Sequence, residues 1–166
     1  MRIKKNSRML LLRFNNYKSV DFIQEHLKCI KKNSDCWMLK TGKRLPDTKL
    51  QDVFDGSGYI ILRAPKKTGG MFYMAHCLSF YNGEPRTGMN YPQYYQSMID
   101  DANLWMVDSL DGTWFNIDCI ELIPESYIDN LYLISNNKKV NEVIYKTRSA
   151  TMYVICDIEL RTKEIV

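Results

Sequence analysis

The stretch Asp35–Arg44, DCWMLKTGKR, sets Trp37 just ahead of three cations, Lys40, Lys43 and Arg44. An indole offers a flat stacking surface, and cations a few residues away offer partners for anionic groups. The combination suits a flat ring carried on a charged backbone. Two further tryptophans, Trp105 and Trp114, lie downstream. Trp114 runs directly into Phe115 in an apolar strand-like segment and reads as core. Trp37 and Trp105 come from separate elements. Taken singly, either would be largely buried in most proteins, whatever the function.

Other chemistry is harder to assemble. Gly56, Gly58, Gly69 and Gly70 sit in hairpin contexts, so no glycine-rich phosphate loop is formed. The two histidines, His26 and His76, lie in no recognisable nucleophile motif. His26 with Cys29, and His76 with Cys77, lack the spacing of a zinc set. Asp100–Asp101 is an adjacent carboxylate pair in a polar stretch and reads as solvated. No catalytic residue, metal or cofactor is expected, which leaves a binding module. The five cysteines, Cys29, Cys36, Cys77, Cys119 and Cys156, sit among apolar neighbours in no C-x-x-C pattern. They read as reduced core thiols.

These residues must be positioned by a modest number of elements. MLLLRF reads as a strand buried on both faces. Ser19 is the expected N-cap of a helix whose apolar positions are Val20, Ile23, Leu27 and Ile30, with acids early and lysines late. DCWML is a second strand, and LQDVF a helical turn. GYIILRAP and MFYMAHCLSF form a hairpin around a polar, glycine-containing loop. Residues 82–103 lack a period, are rich in Tyr and read as a long surface loop, with a flexible lid as its functional reading. TWFNIDCIELI is a strand ended by Pro124, ESYIDNLYLI a helical turn, SNNKK a turn, and TMYVICDIEL the closing strand. The expected whole is one α/β domain over residues 1–166, with about six strands in a small curved sheet or open barrel flanked by helices.

Composition is that of an ordinary globular chain, 45% hydrophobic and 25% charged. No apolar run approaches the roughly 20 residues of a membrane span. The basic start MRIKKNSRMLLLRF lacks the apolar core of a signal peptide, so an intracellular location is expected. The net charge of +4 is uneven along the chain: residues 1–49 hold thirteen Lys and Arg against four Asp and Glu. A basic front segment suggests a phosphate-bearing partner.

Four strings, in order, resemble the YTH domain, a modified-base reader of the PUA-like group that also holds the EVE domains. SRMLLLRFNNYKSV resembles that family's first strand and helix entry, including the Asn15–Asn16 pair. DCWMLKTG resembles its second strand with a pocket Trp. YIILRAPKKTGGMFYMAHCLSF is similar to its hairpin, with Phe72 and Ala75 at the recurring aromatic and small positions. DGTWFNIDCIELIP resembles the strand that ends the pocket loop. The likeness spans roughly residues 7–155. It implies a cage formed by Trp37, Trp105 and Leu110, base or edge contacts from Asn15, Ser19 and Met38, and phosphate contacts from Arg13, Lys40, Lys43, Arg44, Lys139 and Arg148. Departures from the family pattern are Met38 in place of a small residue, Ser19 with a shorter reach, and Phe14 in place of a small polar residue. Also, no Pro follows Lys139 and no Asp follows Arg148.

The function implied is reading of a methylated base, N6-methyladenine foremost, in single-stranded RNA, without catalysis, cofactor, metal or membrane. Stacking contributes about 1–3 kcal/mol per base and a buried methyl about 0.8 kcal/mol, so phosphate contacts must supply the remainder. The alternatives are an EVE-like or PUA-like reader of modified DNA such as methylcytosine, a small PUA-like hydrolase of modified nucleosides, and a structural adaptor whose aromatics are all core.

Overall fold

A computed structural model describes residues 1–64, 70–101 and 109–164. The fold is mixed α and β around an open sheet, in the expected class. Its strands follow the hydrogen-bonded path β10-β6-β5-β4-β2-β8-β7, and β3 pairs with β6 off that path. The chain divides into two compact units. One comprises Met1–Asn15, Gln51–His76 and Ile120–Val166; the other comprises Asn16–Leu50 and Cys77–Cys119. Strands β5 (Phe72–Gly83) and β6 (Gly112–Ile123) contribute residues to both.

The first unit is organised on β2 (Arg8–Arg13). It runs parallel to β4 (Tyr59–Arg63), with Leu10 opposite Ile60 and Arg13 opposite Arg63, and antiparallel to β8 (Thr151–Cys156). Met9, Leu10, Leu11 and Leu12 are all buried, which is why this strand is apolar at successive positions and does not alternate. β5 pairs antiparallel with β4, and β7 (Leu131–Leu133) with β8. Short pairings close the ends: β1 (Arg2–Ile3) with β9 (Leu160–Arg161), and β10 (Lys163–Glu164) with β6. A 3-10 segment, Glu125–Asn130, and a short helix α4 (Val140–Val143) place Ile128 and Val140 in the same core as Leu11 and Ile61.

The second unit holds α1 (Phe22–Asn33), β3 (Cys36–Thr41) and α3 (Tyr94–Asp100); α2 (Asp47–Gly56) begins in it. The start of α1 differs from the sequence expectation. Asp21, not Ser19, is the N-cap: its carboxylate accepts the Gln24 amide at 3.1 Å, and Asn16 Oδ1 accepts the Phe22 amide at 3.0 Å. Two of the amides that a helix start leaves without partners are thereby satisfied. The buried stripe is Phe22, Ile23 and His26, whereas Leu27 and Ile30 are half-buried and Val20 precedes the helix. The shift follows from His26, a polar residue that finds buried partners. The helix ends at Ser34 in the left-handed region (φ 71°), whose amide donates to Ile30 O.

Residues 82–103 are not one long loop. Residues 94–100 are helical, and Tyr95 is among the most buried side chains of its unit. The apolar period was hidden because tyrosines, not aliphatics, supply the buried face. No helix among the described residues is long and apolar enough to cross a membrane.

β3 and β6 are held in register by six antiparallel pairs, from Cys36–Ile117 to Thr41–Gly112. At the last pair a Cβ on Gly112 would stand 2.3 Å from Lys40 O, so only glycine permits this approach of the strands. Gly112→Ala should therefore lower stability by about 1–3 kcal/mol, the usual range for overpacking. Urea unfolding of the two proteins measures it, and an unchanged midpoint would show that the strands separate there without penalty.

Candidate functional site

Alternation along β3 sorts its side chains. Cys36 and Met38, both fully buried, face one way; Trp37 and Leu39 face the other, opposite Asn116 and Trp114 of β6. Leu39, Tyr95, Leu110 and Trp114 form a closed apolar cluster, and Trp37, Tyr81, Tyr91 and Tyr94 pack against its edge. Trp114 is wholly buried, and its Nε1–H lies 3.1 Å from Gly83 O and 3.2 Å from Leu110 O. It is core, as the sequence suggested. Trp37 is half-buried, and its amide donates to Asn90 O at 2.7 Å. Trp37 and Leu110 thus belong to one cluster, while Met38 stands on the opposite face of the strand, in the core and away from the indole. Trp105 lies outside the described residues.

A buried polar chain stiffens this cluster. His26 Nδ1 is 2.7 Å from Phe22 O, and a carbonyl can only accept, so Nδ1 carries the proton. Nε2 is then an acceptor, and Tyr95 Oη donates to it at 2.5 Å. The same hydroxyl accepts the Leu39 amide of β3 at 3.1 Å. One phenol therefore ties α1, α3 and β3 together, with every group satisfied. Burial pushes the Tyr95 hydroxyl well above its ordinary range and lowers His26 from 6.5 to about 4. Tyr91 stacks on Tyr95 at 5.8 Å, and Tyr94 on Tyr17 at 6.2 Å. Tyr17 Oη in turn donates to Asp101 Oδ2, which Lys18 also binds. The tyrosines expected in a lid are framework. His26 is not a metal ligand, and the described residues contain no group of three or more His, Cys, Asp or Glu able to hold a metal ion.

The cations after Trp37 are partly committed. Arg44 makes a two-pronged pair with Asp111, Nε to Oδ1 at 2.8 Å and Nη2 to Oδ2 at 2.7 Å. That hydrogen-bonded pairing raises the Arg44 pKa and lowers the Asp111 one. Lys40 Nζ donates to Thr41 O and Lys43 O, and partial burial lowers its pKa. Lys43 and Ser19 are exposed. Arg86, which sequence reasoning passed over, places its guanidinium 3.9 Å from the Tyr81 ring centre. The basic front segment does not become a basic unit. The second unit carries nine Lys and Arg against ten Asp and Glu, and the first carries fourteen against nine. Chain order separates the charges, and folding mixes them again.

Arg13, Asn15, Lys139 and Arg148 belong to the first unit. Asn15, Lys139 and Arg148 are exposed, and Arg13 is half-buried at the end of β2. Beside it on β4 lies Arg63, 8% exposed, whose Nη1 donates to Ile144 O at 2.6 Å and whose guanidinium sits over Tyr145. Neither arginine has a carboxylate partner among the described residues, and burial together with Arg13 lowers the Arg63 pKa. Arg63 was missed because it reads as the polar end of an apolar strand. The same unit has a depression of about 350 Å³ lined by Leu133, Val143, Lys146, Thr147 and Met152.

Comparison of the chain with protein-family models, with curated proteins and with solved structures finds no match.

The buried histidine makes stability depend on pH. Its folded-state pKa, about 4, lies below the unfolded value of 6.5, so as pH falls the unfolded chain takes up the proton first. The contribution is complete above pH 6.5 and declines towards pH 4, with a slope of up to about 1.4 kcal/mol per pH unit. Urea midpoints at pH 7 and pH 5 read this loss, and a ¹H NMR titration should leave the His26 ring unprotonated across the same interval. A ring titrating near 6.5 in the folded protein would contradict the buried network.

Proposed function

We propose that this protein binds single-stranded nucleic acid through one unstacked, methylated base, with N6-methyladenine in RNA the favoured target and Trp37 as a stacking surface. The observation that carries this reading is the half-buried indole of Trp37. It is pinned through its backbone to Asn90 O and backed by the closed cluster of Leu39, Tyr95, Leu110 and Trp114. An aromatic plane that the fold immobilises loses little freedom when a base stacks on it. The YTH-like strings support the same reading, because they put Trp37 and Leu110 at cage positions and Trp105 at the second aromatic wall. The PUA-like fold belongs to this proposal too. Ser19, exposed ahead of α1 in the unit that holds Trp37, is the polar side chain proposed to meet the base edge.

The backbone contacts are reassigned by the geometry of the cations. Arg44 would have to leave Asp111 to take a phosphate, and Lys40 already serves two carbonyls. Lys43, in the same unit as Trp37, has no such commitment among the described residues and is the proposed phosphate partner. Chemistry on the base is not part of the proposal.

Two tests follow. Trp37→Ala should weaken binding of a methylated RNA oligomer by about 1–3 kcal/mol while leaving the fold intact. Fluorescence anisotropy and circular dichroism on the same samples check both halves, and a folded variant that binds normally would remove Trp37 from the site. Affinity should also fall with salt, with a log–log slope of about −0.7 per phosphate neutralised on a single strand. Replacing Lys43 by Gln should flatten that slope by about 0.7 and keep the methyl preference. Loss of the preference with an unchanged slope would reverse these roles, and tighter binding of a methylcytosine DNA oligomer would move the reading to modified DNA.

A further inference from the structure

Asn116 stands directly opposite Trp37 in the β3–β6 pairing. Opposed residues of an antiparallel pair share a face, with Cβ atoms about 4.5–5.5 Å apart. Leu39 and Trp114 form the next pair on that face. The carboxamide of Asn116 therefore sits at the border between the half-buried indole and the closed cluster. Its Oδ1 is shielded from solvent, yet no donor among the described residues lies within hydrogen-bonding reach. The polar hydrogens of the cluster are already used: Trp114 Nε1–H by the carbonyls of Gly83 and Leu110, and the Tyr95 hydroxyl by His26. An acceptor buried without a donor is uncommon in a native interior and calls for an explanation. Folds break local rules of this kind mainly at functional sites.

We infer that Asn116 reads the edge of an adenine stacked on Trp37, its carboxamide pairing with N6–H and N7. The inference rests on the base-binding role proposed for Trp37 and names what that site recognises. A carboxamide presents one acceptor beside a donor, and adenine presents the N6–H donor beside the N7 acceptor, so the two edges match bidentately. The terminal amide torsion is broad and two-fold, so Oδ1 turns towards the base without moving β6. One N6-methyl group leaves one N6–H for this contact, and a second removes it.

The test uses the full chain at one fixed salt concentration and three single-stranded RNA oligomers of one sequence. Their central residue is N6-methyladenine, N6,N6-dimethyladenine or 7-deaza-N6-methyladenine. The first should bind about tenfold or more tighter than either of the others, the worth of a hydrogen bond lost at a matched edge. Asn116→Leu should bind all three within about twofold of one another. Leucine is close to asparagine in size and removes the donorless oxygen, so its thermal midpoint should be unchanged or higher. Equal binding of the three oligomers by the unaltered chain, with Trp37→Ala still defective, would overturn the role of Asn116 and leave the stacking role standing. Binding of none of them would overturn both. Should Asn116→Leu fail to fold, the three oligomers on the unaltered chain decide the matter.

Discussion

The parallel pairing of Arg8–Arg13 with Tyr59–Arg63 is the constraint from which the rest follows. A parallel neighbour cannot be reached by a tight turn; the chain must leave the sheet, cross over and return. Residues 14–58 are that crossover, and they contain α1, β3 and α2. Trp37 exists where it does because the crossover is long enough to send β3 to pair with β6. The parallel pair itself tolerates no polar residue between its ends, since β2 lies between β4 and β8 with both faces covered. Position and platform therefore have one origin: the detour that the sheet imposes builds the surface on which Trp37 rests.

What the sequence revealed, and what it hid, divides along a physical line. Elements with aliphatic cores were legible: β2 from its unbroken apolar run, β4 and β5 from their shared turn, and β6 with Trp114 inside it. Elements whose buried face is polar or aromatic were not. α1 begins later than expected because the Asp21 carboxylate and the Asn16 side chain satisfy its first amides, and its inner face includes His26, which a hydrophobicity pattern counts as outside. Tyr95 made α3 look like loop, since a tyrosine reads as surface until a partner for its hydroxyl is known. That partner, His26, is 69 residues distant in sequence. In the candidate site, Trp37 packs against the cluster that holds Leu110, whereas Met38 lies on the other face of β3, a difference that strand alternation explains.

Charge gave the least reliable signal. The excess of cations in the first third of the chain is real as composition, yet acids from later segments return to the unit that houses most of that third. Arg44 meets Asp111, and Lys18 meets Asp101, across long stretches of chain. Among the described residues, Arg13 and Arg63 keep no acidic partner and sit side by side at the ends of two strands. A charge map drawn along a sequence becomes a map of a surface only when nearby segments stay together, and here they do not.

The interleaving of the first unit from three separate segments also sets a schedule for its birth on the ribosome. β2 ends at Arg13, but its antiparallel neighbour β8 begins only at Thr151. At a typical synthesis rate of about 5–20 residues per second, the strand waits on the order of ten seconds with one edge unpaired and apolar side chains on both faces. An open edge of that kind is a template for other chains. The arrival of β8 is thus what ends the period in which β2 is a hazard, and a nascent chain stalled before Thr151 would be more prone to aggregate than one that carries β8.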